Sequence, residues 1–212
     1  MNTDTLSILT HSRNKVTKTW KTDGTIAAFD DAKYYTHSQV AVGGAASLSV
    51  LLSSLAERPN SCLIRGTPVD LTVAAARDGE QYRPNIVRKA LDYFDDQPLH
   101  TVMIDVDGFH PFAWDPITNP KEAIEEFIAT QLTSEWQGVS YHWHLSSSFG
   151  HPTKQDSGLR VHLWFWLARP LTSAQLKAYA KASELAADVA LFNPVQAHFT
   201  ANPALDDGVV DT

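Results

Sequence analysis

Three segments from residue 100 onward alternate apolar and polar side chains, and this pattern constrains the fold more than any other feature of the chain. The segments are HTVMIDVDGFH, VSYHWHLSSS and LRVHLWFWLA. Because successive side chains of a β-strand point to opposite faces, a two-residue period predicts strands with one apolar face each. We expect the three apolar faces to pack on helices and the opposite faces to form a polar surface.

Two amphipathic segments are predicted to supply those helices. KEAIEEFIATQL follows Asn119-Pro120, and SAQLKAYAKASELAADVALF begins at the capping pair Thr172-Ser173. Each repeats apolar residues at helical spacing, and the second is predicted to be one long helix. The order strand, helix, strand, strand, helix predicts an α+β fold of two layers with its helices on one face of the sheet.

The first 99 residues are predicted to form an N-terminal α/β lobe beside a second lobe of residues 100–212, both within one module of residues 1–212. Asp23-Gly24 predicts a hairpin turn, because this pair readily adopts positive φ angles. The other predicted elements of this lobe are a helix in ASLSVLLSSLAER, a strand in SCLIRG and a helix in QYRPNIVRKALDYF.

Composition narrows the classes of protein that the chain can belong to. With 212 residues and 43% hydrophobic content, the chain can bury a full core. It contains no apolar run of the roughly 18 residues that span a membrane and no signal peptide, so a cytoplasmic protein without membrane association is expected. Its single cysteine, Cys62, excludes an internal disulfide.

Charge is distributed unevenly along the chain. The net charge of −7 argues against non-specific coating of nucleic acid. Residues 1–90 nevertheless carry 11 basic and 8 acidic side chains, whereas residues 91–212 carry 6 basic and 16 acidic ones. A basic half beside an acidic half fits an enzyme that holds a polyanion on one surface and cations on another.

The acidic pair Asp105 and Asp107 ends the first alternating strand, on the same strand face as Met103. Two neighbouring carboxylates repel each other unless a cation lies between them, and Mg²⁺ or Mn²⁺ prefers such oxygen ligands. A two-metal site commonly needs a third carboxylate, for which Asp188, at the end of the Ala-rich helix, is the leading candidate. We therefore predict Asp105, Asp107 and Asp188 as metal ligands and catalytic residues.

The same polar face offers groups that bind phosphate. Arg160 and His162 would neutralise a polyphosphate. The hydroxyls of Ser147 and Ser148 and the amine of Lys154 would donate to it. Carboxylates that can bind metal ions, next to groups that can donate hydrogen bonds to a triphosphate, predict an enzyme that catalyses nucleotidyl transfer.

These motifs, in this order, resemble those of the archaeo-eukaryotic primase superfamily. The resemblance covers residues 60–205 and rests on the hydrophobic-D-x-D strand, the Ser-rich strand, the histidine in LRVHLWFWL and the final acidic motif. The most similar members are the primases and primase-polymerases of plasmids, phages and other mobile elements. In their second motif a small hydroxyl residue usually precedes the histidine by two positions, where this chain has Arg160.

The resemblance implies an RNA-recognition-like mixed sheet that extends a strand on a single-stranded DNA template from nucleoside triphosphates with Mg²⁺ or Mn²⁺. Asp105 and Asp107 match the metal ligands of the first motif, His162 matches the nucleotide-contacting histidine of the second, and Asp188 matches the third carboxylate. Members of this group often continue into a helicase or accessory domain, so a helicase domain or replication protein is an expected partner.

Two other functions remain open on the sequence. His142-Trp143-His144 is a His-hydrophobe-His motif, as in replication-initiator endonucleases, with Tyr179 as the nucleophile. Alternatively, the chain is a nucleotide-binding domain without turnover. The role of Trp164 and Trp166 is also open, because the two rings would serve either as base-stacking platforms or as packing beneath the N-terminal lobe.

Overall fold

The structure is a computed structural model that describes residues 2–29 and 32–210. Within these residues the strands are β1 (Asp4–Thr10), β2 (Thr19–Trp20), β3 (Ile26–Ala27), β4 (Tyr34–Val42), β5 (Ser61–Ile64), β6 (Thr67–Pro68), β7 (Ile86–Arg88), β8 (Phe94–Asp95), β9 (Leu99–Phe109), β10 (Tyr141–Leu145), β11 (Leu159–Leu171), β12 (His198–Phe199) and β13 (Ala204–Leu205). The α-helices are α1 (Ala45–Ala56), α2 (Leu71–Arg77), α3 (Pro120–Gln131) and α4 (Ser173–Ala182). Short 3-10 helices cover Leu91–Tyr93, Ser134–Trp136, Pro152–Ser157 and Val189–Phe192.

The three alternating segments form one sheet, in the spatial order β10-β11-β9. The sequence predicts a mixed sheet, and the described strands of this sheet pair antiparallel. Helices and antiparallel sheets together confirm the α+β fold class. In chain order β9, α3, β10, β11 and α4 follow the ferredoxin-like pattern of strand, helix, two strands and helix. The 3-10 helix Val189–Phe192 then packs against β9.

One face of this sheet is apolar, as the two-residue period predicts. Side chains from β9 and β11 pack on α3 and α4 in a single buried cluster, which includes Val102, Ile104, Val106, Ile124, Phe127, Val161, Leu163, Phe165, Leu176 and Ala180. At about 25 cal/mol per Å² of apolar area buried, this cluster is a main source of folding free energy.

The opposite face is covered over part of its length by the N-terminal half. Leu99, Met103 and Trp164 are buried there with the leucines of α1. Trp164 is only 2% exposed, so it serves as packing and its ring is closed to a base. Trp166 stacks on His100, with ring centroids 5.0 Å apart and planes 6° apart. The polar end of this face, around Asp105 and Asp107, remains accessible.

The last part of the chain returns to the N-terminal half. The five-stranded sheet has the order β12-β5-β1-β4-β7, so β12 extends a sheet built from early strands. Likewise, β13 pairs in parallel with β2. At the junction of the two halves, buried Asp4 accepts hydrogen bonds from the backbone N–H groups of His100 and Thr101 at 3.0 and 2.7 Å. Both halves therefore contribute residues to the region where the sheets meet.

Two predicted helices in the chain are wrong in extent or type. The Ala-rich helix ends at Ala182 instead of continuing to Phe192, because Glu184 has a left-handed backbone with φ 51°. Asp188 therefore does not end a long helix, but caps the 3-10 helix Val189–Phe192. In the predicted helix QYRPNIVRKALDYF, Ile86–Arg88 instead forms β7, because these residues complete the edge of β4.

Three predicted elements of the N-terminal half are confirmed. They are the helix α1, the strand β5 and the hairpin of β2 and β3, whose turn uses Gly24 at φ 79°. Among the described helices, none is long and apolar enough to span a membrane.

Candidate active site

A cavity of about 220 Å³ lies at the polar end of β9 and β11, beneath a segment from the N-terminal half. Its walls come from six segments of the chain: Val16, Thr17, Lys18, Phe29, Asp105, Val106, Asp107, Ser146, Ser147, Arg160, His162 and Phe199. Carboxylates, cations, hydroxyls and apolar side chains all contribute to this lining. The predicted residues Asp105, Asp107, Ser147, Arg160 and His162 thus share one cavity.

The pairing of β9 with β11 sets the partners of both aspartates. Asp105 lies opposite His162, and Asp107 lies opposite Arg160. The Nε2 atom of His162 is 3.3 Å from Oδ1 of Asp105, and a guanidinium nitrogen of Arg160 contacts Oδ1 of Asp107. Each carboxylate therefore has a nitrogen donor directly across the ladder, on the face that the two-residue period predicts.

A chain of hydrogen bonds continues from Asp105 through two histidines. Nδ1 of His162 is 2.8 Å from Nε2 of His144, which is 3.2 Å from the carbonyl oxygen of Phe199. Because a carbonyl only accepts, we assign the proton of neutral His144 to Nε2. His162 then accepts at Nδ1 and carries its proton on Nε2, facing Asp105.

Burial keeps both of these histidines neutral. It lowers the pKa of His144 to about 4 and, together with the neighbouring histidine, lowers the pKa of His162 well below its usual value. The 3.3 Å contact of His162 with Asp105 is therefore made by a neutral imidazole and is not an ion pair. It orients the carboxylate without cancelling its charge.

Asp105 is electrostatically disfavoured in its ionised form. Burial, followed by the negative charge of Asp107, raises its pKa to about 6, and Arg160 opposes this only in part. A divalent cation between the two carboxylates would remove this penalty. The oxygen donor set fits Mg²⁺ or Mn²⁺, which also keep water and phosphate oxygens as ligands.

Lys18 is a residue of the site that the sequence patterns do not indicate. It precedes β2, lines the cavity, and donates from Nζ to Oγ of Ser148 at 3.1 Å. Burial and the nearby charge of Arg160 lower its pKa, against the opposing effect of Asp107. The indole of Trp20 anchors this segment by donating to the carbonyl oxygen of Ser147 at 2.9 Å.

The remaining predicted phosphate-binding groups lie at different distances from the cavity. Ser148 is fully buried, and its hydroxyl contacts Lys18 and, at 3.3 Å, Oγ of Ser146. Lys154 lies exposed in the 3-10 helix Pro152–Ser157, close enough that its charge lowers the pKa of Lys18. Ser148 therefore positions Lys18, and Lys154 adds positive charge nearby.

Asp188 lies near the aspartate pair but does not line the cavity. Its negative charge contributes to the raised pKa of Asp105. Its carboxylate accepts the backbone N–H of Ala190 at 2.9 Å as a cap. Within residues 2–29 and 32–210, no three His, Cys, Asp or Glu side chains are grouped so as to hold a metal ion. A cation at Asp105 and Asp107 would thus take its other ligands from water or substrate.

The residues of the alternative nuclease site are not brought together. Nδ1 of His142 is 2.9 Å from Oγ of Ser49 in α1. Tyr179 packs in the apolar cluster on the other face of the sheet, where its hydroxyl accepts from Nε1 of Trp136 at 3.1 Å. The sheet therefore separates Tyr179 from His142 and His144.

Comparison of the chain with protein-family models, with curated proteins and with solved structures found no match. Fold and site define an α+β protein with a carboxylate pair and two cations, Lys18 and Arg160, in the lining of one cavity. Because a fold alone does not determine function, the function has to be argued from that site.

Proposed function

We propose that the protein is a DNA primase/polymerase of a mobile-element replication system, which performs template-directed nucleotidyl transfer on single-stranded DNA. The observation that carries this proposal is that Asp105 and Asp107 share a small cavity with Arg160 and Lys18. Transfer of a nucleotide from its triphosphate requires carboxylates that bind metal ions and, next to them, basic side chains that bind the phosphates.

In this function Asp105 and Asp107 would hold Mg²⁺ or Mn²⁺. When bound, the metal would activate the attacking 3′-hydroxyl and neutralise charge on the leaving pyrophosphate. His162, itself held by His144, keeps Asp105 oriented toward the cavity. Asp188 contributes negative charge nearby, which favours cation binding.

Arg160 and Lys18 would bind the triphosphate together. Arg160 is held by Asp107, and its Nε atom is buried without a hydrogen-bond partner, so the guanidinium retains donor capacity. Lys18 would also donate to phosphate oxygens, with Ser147 as a further donor and Lys154 as a nearby positive charge. These charge-assisted hydrogen bonds strengthen as charge develops on the phosphates.

A second, basic cavity supports a nucleic-acid partner. It has a volume of about 310 Å³ and shares Thr17 with the aspartate cavity. Arg13, Lys15 and Lys21 line it, and only Lys21 has an acidic partner, Asp206 at 3.6 Å, among the ion pairs of the described residues. The phosphates of a DNA strand leaving the active site would follow this basic surface.

A nucleotide-binding domain without turnover is the second candidate, because the described residues lack a three-ligand metal cluster. It would bind nucleoside triphosphates and form no product. The endonuclease is less well supported, because the sheet lies between Tyr179 and the histidine pair.

Strand synthesis on single-stranded DNA tests the proposal directly. The protein is incubated with template, with or without a primer, labelled nucleotides and Mg²⁺ or Mn²⁺, and products are resolved by length. We expect extension or priming by the natural protein and loss of both in Asp105→Asn/Asp107→Asn. The matched control, Asp92→Asn/Asp207→Asn, changes two exposed aspartates outside the cavity. Product that persists without Asp105 and Asp107 would refute the metal assignment.

A further inference from the structure

The aspartate cavity has an aromatic wall that the phosphate chemistry leaves without a role. Phe29 and Phe199 line it together with Val16. The two phenyl rings lie 4.3 Å apart between centroids, with their planes tilted by 41°. Both side chains are half-buried, so each retains ring surface toward the cavity. A ligand consisting of phosphates alone would gain nothing from these rings.

We propose that Phe29 and Phe199 hold the nucleobase of the incoming nucleotide, which makes the site selective for nucleotides over bare polyphosphates. This inference rests on the proposed function. A nucleotide has an anionic end and a planar apolar end, and the cavity is lined by both cationic and aromatic side chains. Base–aromatic stacking needs no hydrogen-bond pattern, so one aromatic wall can accept all four bases.

The two rings differ in how firmly they are held. Phe199 belongs to β12, pairs with Cys62 of β5, and offers its carbonyl oxygen to His144. The histidine chain therefore connects the backbone of Phe199 to Asp105. Phe29 lies outside regular structure, two residues after β3. We infer that Phe199 is the fixed part of the platform and that the base stacks on the surface that the pair presents to the cavity, because the two rings already contact each other and leave no room for a base between them.

Trp164 and Trp166, whose role the sequence left open between base stacking and packing, do not compete for this role. Trp164 is buried against α1, and Trp166 stacks on His100. Within the described residues, the phenyl or indole rings at the wall of the aspartate cavity are those of Phe29 and Phe199. Aromatic stacking of a base in this cavity therefore falls to this pair.

The test compares nucleotides with a polyphosphate that lacks the nucleoside. Binding of ATP, CTP and inorganic tripolyphosphate is measured by calorimetry with Mg²⁺, for the natural protein and for Phe29→Ala. Phe29→Leu, which keeps apolar volume, and Phe29→Trp, which keeps an aromatic face, separate stacking from packing. Phe112→Ala is the matched control, because Phe112 is 99% exposed and does not line the cavity.

We expect Phe29→Ala to weaken binding of ATP and CTP by about 5- to 150-fold, the usual range for loss of one stacked base, and to leave tripolyphosphate binding unchanged. Phe29→Trp should retain nucleotide binding, and Phe29→Leu should not restore it. Unchanged nucleotide affinity in Phe29→Ala would overturn the inference, as would an equal loss for tripolyphosphate or no binding of either ligand to the natural protein.

The outcome separates this inference from the proposed function. If nucleotides bind through Phe29 and no strand is synthesised, base recognition stands and polymerase activity fails. If strand synthesis depends on Asp105 and Asp107 but nucleotide affinity is unchanged in Phe29→Ala, the proposed function is supported and base recognition by Phe29 is refuted.

Discussion

Asp105 lies directly opposite His162 across the pairing of β9 with β11, with 3.3 Å between Oδ1 of Asp105 and Nε2 of His162. His162 is held in turn by His144 of β10, and His144 by the backbone of Phe199 in β12. The orientation of one carboxylate thus depends on four strands from two sheets. This relationship links the metal chemistry proposed for the aspartates to the stability of the fold.

Replacing Asp105 with asparagine should stabilise the protein in the absence of metal. The pKa of Asp105 is raised from 3.8 to about 6, so its ionisation opposes folding. The free-energy penalty of ionising Asp105 in the folded state is absent below pH 3.8, grows between pH 3.8 and about 6, and is fully present above that range. Asp105→Asn should therefore increase the free energy of unfolding by about 2 kcal/mol at pH 8, with the gain vanishing toward pH 3.8.

Urea denaturation of Asp105→Asn and the natural protein at pH 8 and pH 4 checks this, with EDTA present to remove metal. Asp92→Asn, at an exposed position, serves as the control. A loss of stability in Asp105→Asn at both pH values would contradict the electrostatic explanation.

The buried histidines should make the protein sensitive to mild acid. The pKa of His144 falls from 6.5 in the unfolded chain to about 4 in the fold, because burial disfavours the charged imidazole. The contribution of neutral His144 to the free energy of unfolding is fully present above pH 6.5 and is lost as the pH falls through about 4. Between these values this one group should lower the free energy of unfolding by roughly 2–3 kcal/mol.

Denaturant unfolding as a function of pH measures this loss. His144→Gln should make the free energy of unfolding depend less on pH between pH 6.5 and 4. It should also lower the free energy of unfolding at pH 7, because the contact with His162 is weakened. His110→Gln, at an exposed position, should leave the slope unchanged. An identical slope in His144→Gln would show that other groups cause the acid sensitivity.

Lys18 should be needed for phosphate binding rather than for folding. It lines the cavity close enough to Arg160 and the two carboxylates for their charges to shift its pKa. Lys18→Gln should reduce kcat/KM for strand extension by roughly 100-fold, the usual effect of removing one hydrogen-bond donor to a developing charge. Lys18→Arg should retain part of the activity, because it keeps the positive charge. Melting temperatures measured alongside should stay close together. A large drop in melting temperature in Lys18→Gln would assign a structural role instead.

The basic cavity beside the site should determine how salt affects DNA binding. Arg13→Gln/Lys15→Gln removes two positive charges from its wall. The slope of log affinity against log salt concentration for single-stranded DNA should become shallower by about 1.4, or roughly 0.7 for each lost phosphate contact. Fluorescence anisotropy with a labelled oligonucleotide measures it. Lys121→Gln/Lys181→Gln, on α3 and α4, is the charge-matched control. An equal change of the salt slope in this control would contradict DNA binding at the basic cavity.

Much of the aspartate site follows from local sequence pattern. Residues two apart on a strand share a face regardless of what the strand packs against, so Asp105 and Asp107 were predicted side by side. The same rule placed Arg160 and His162 together, and the apolar residues between them were correctly assigned to the helix-covered face. Alternation is a property of the backbone itself, which is why it can be predicted without knowing the fold.

Other features were determined by contacts between distant residues. Lys18 meets Ser148 across 130 positions, and Phe29 meets Phe199 across a similar span, and no short-range pattern predicts either contact. The end of α4 at Ala182 also differs from the prediction, because helical propensity extends beyond it but the left-handed backbone at Glu184 ends the helix.

The sequence alone thus determined which side chains share a strand face, because that depends only on backbone geometry. Only the tertiary structure decided how that face is divided. The N-terminal half buries Trp164 at one end, and at the other end it brings Lys18 over the aspartates and Phe29 beside Phe199. Such closure depends on the packing of whole elements, whose free energy comes from buried area gathered across the chain.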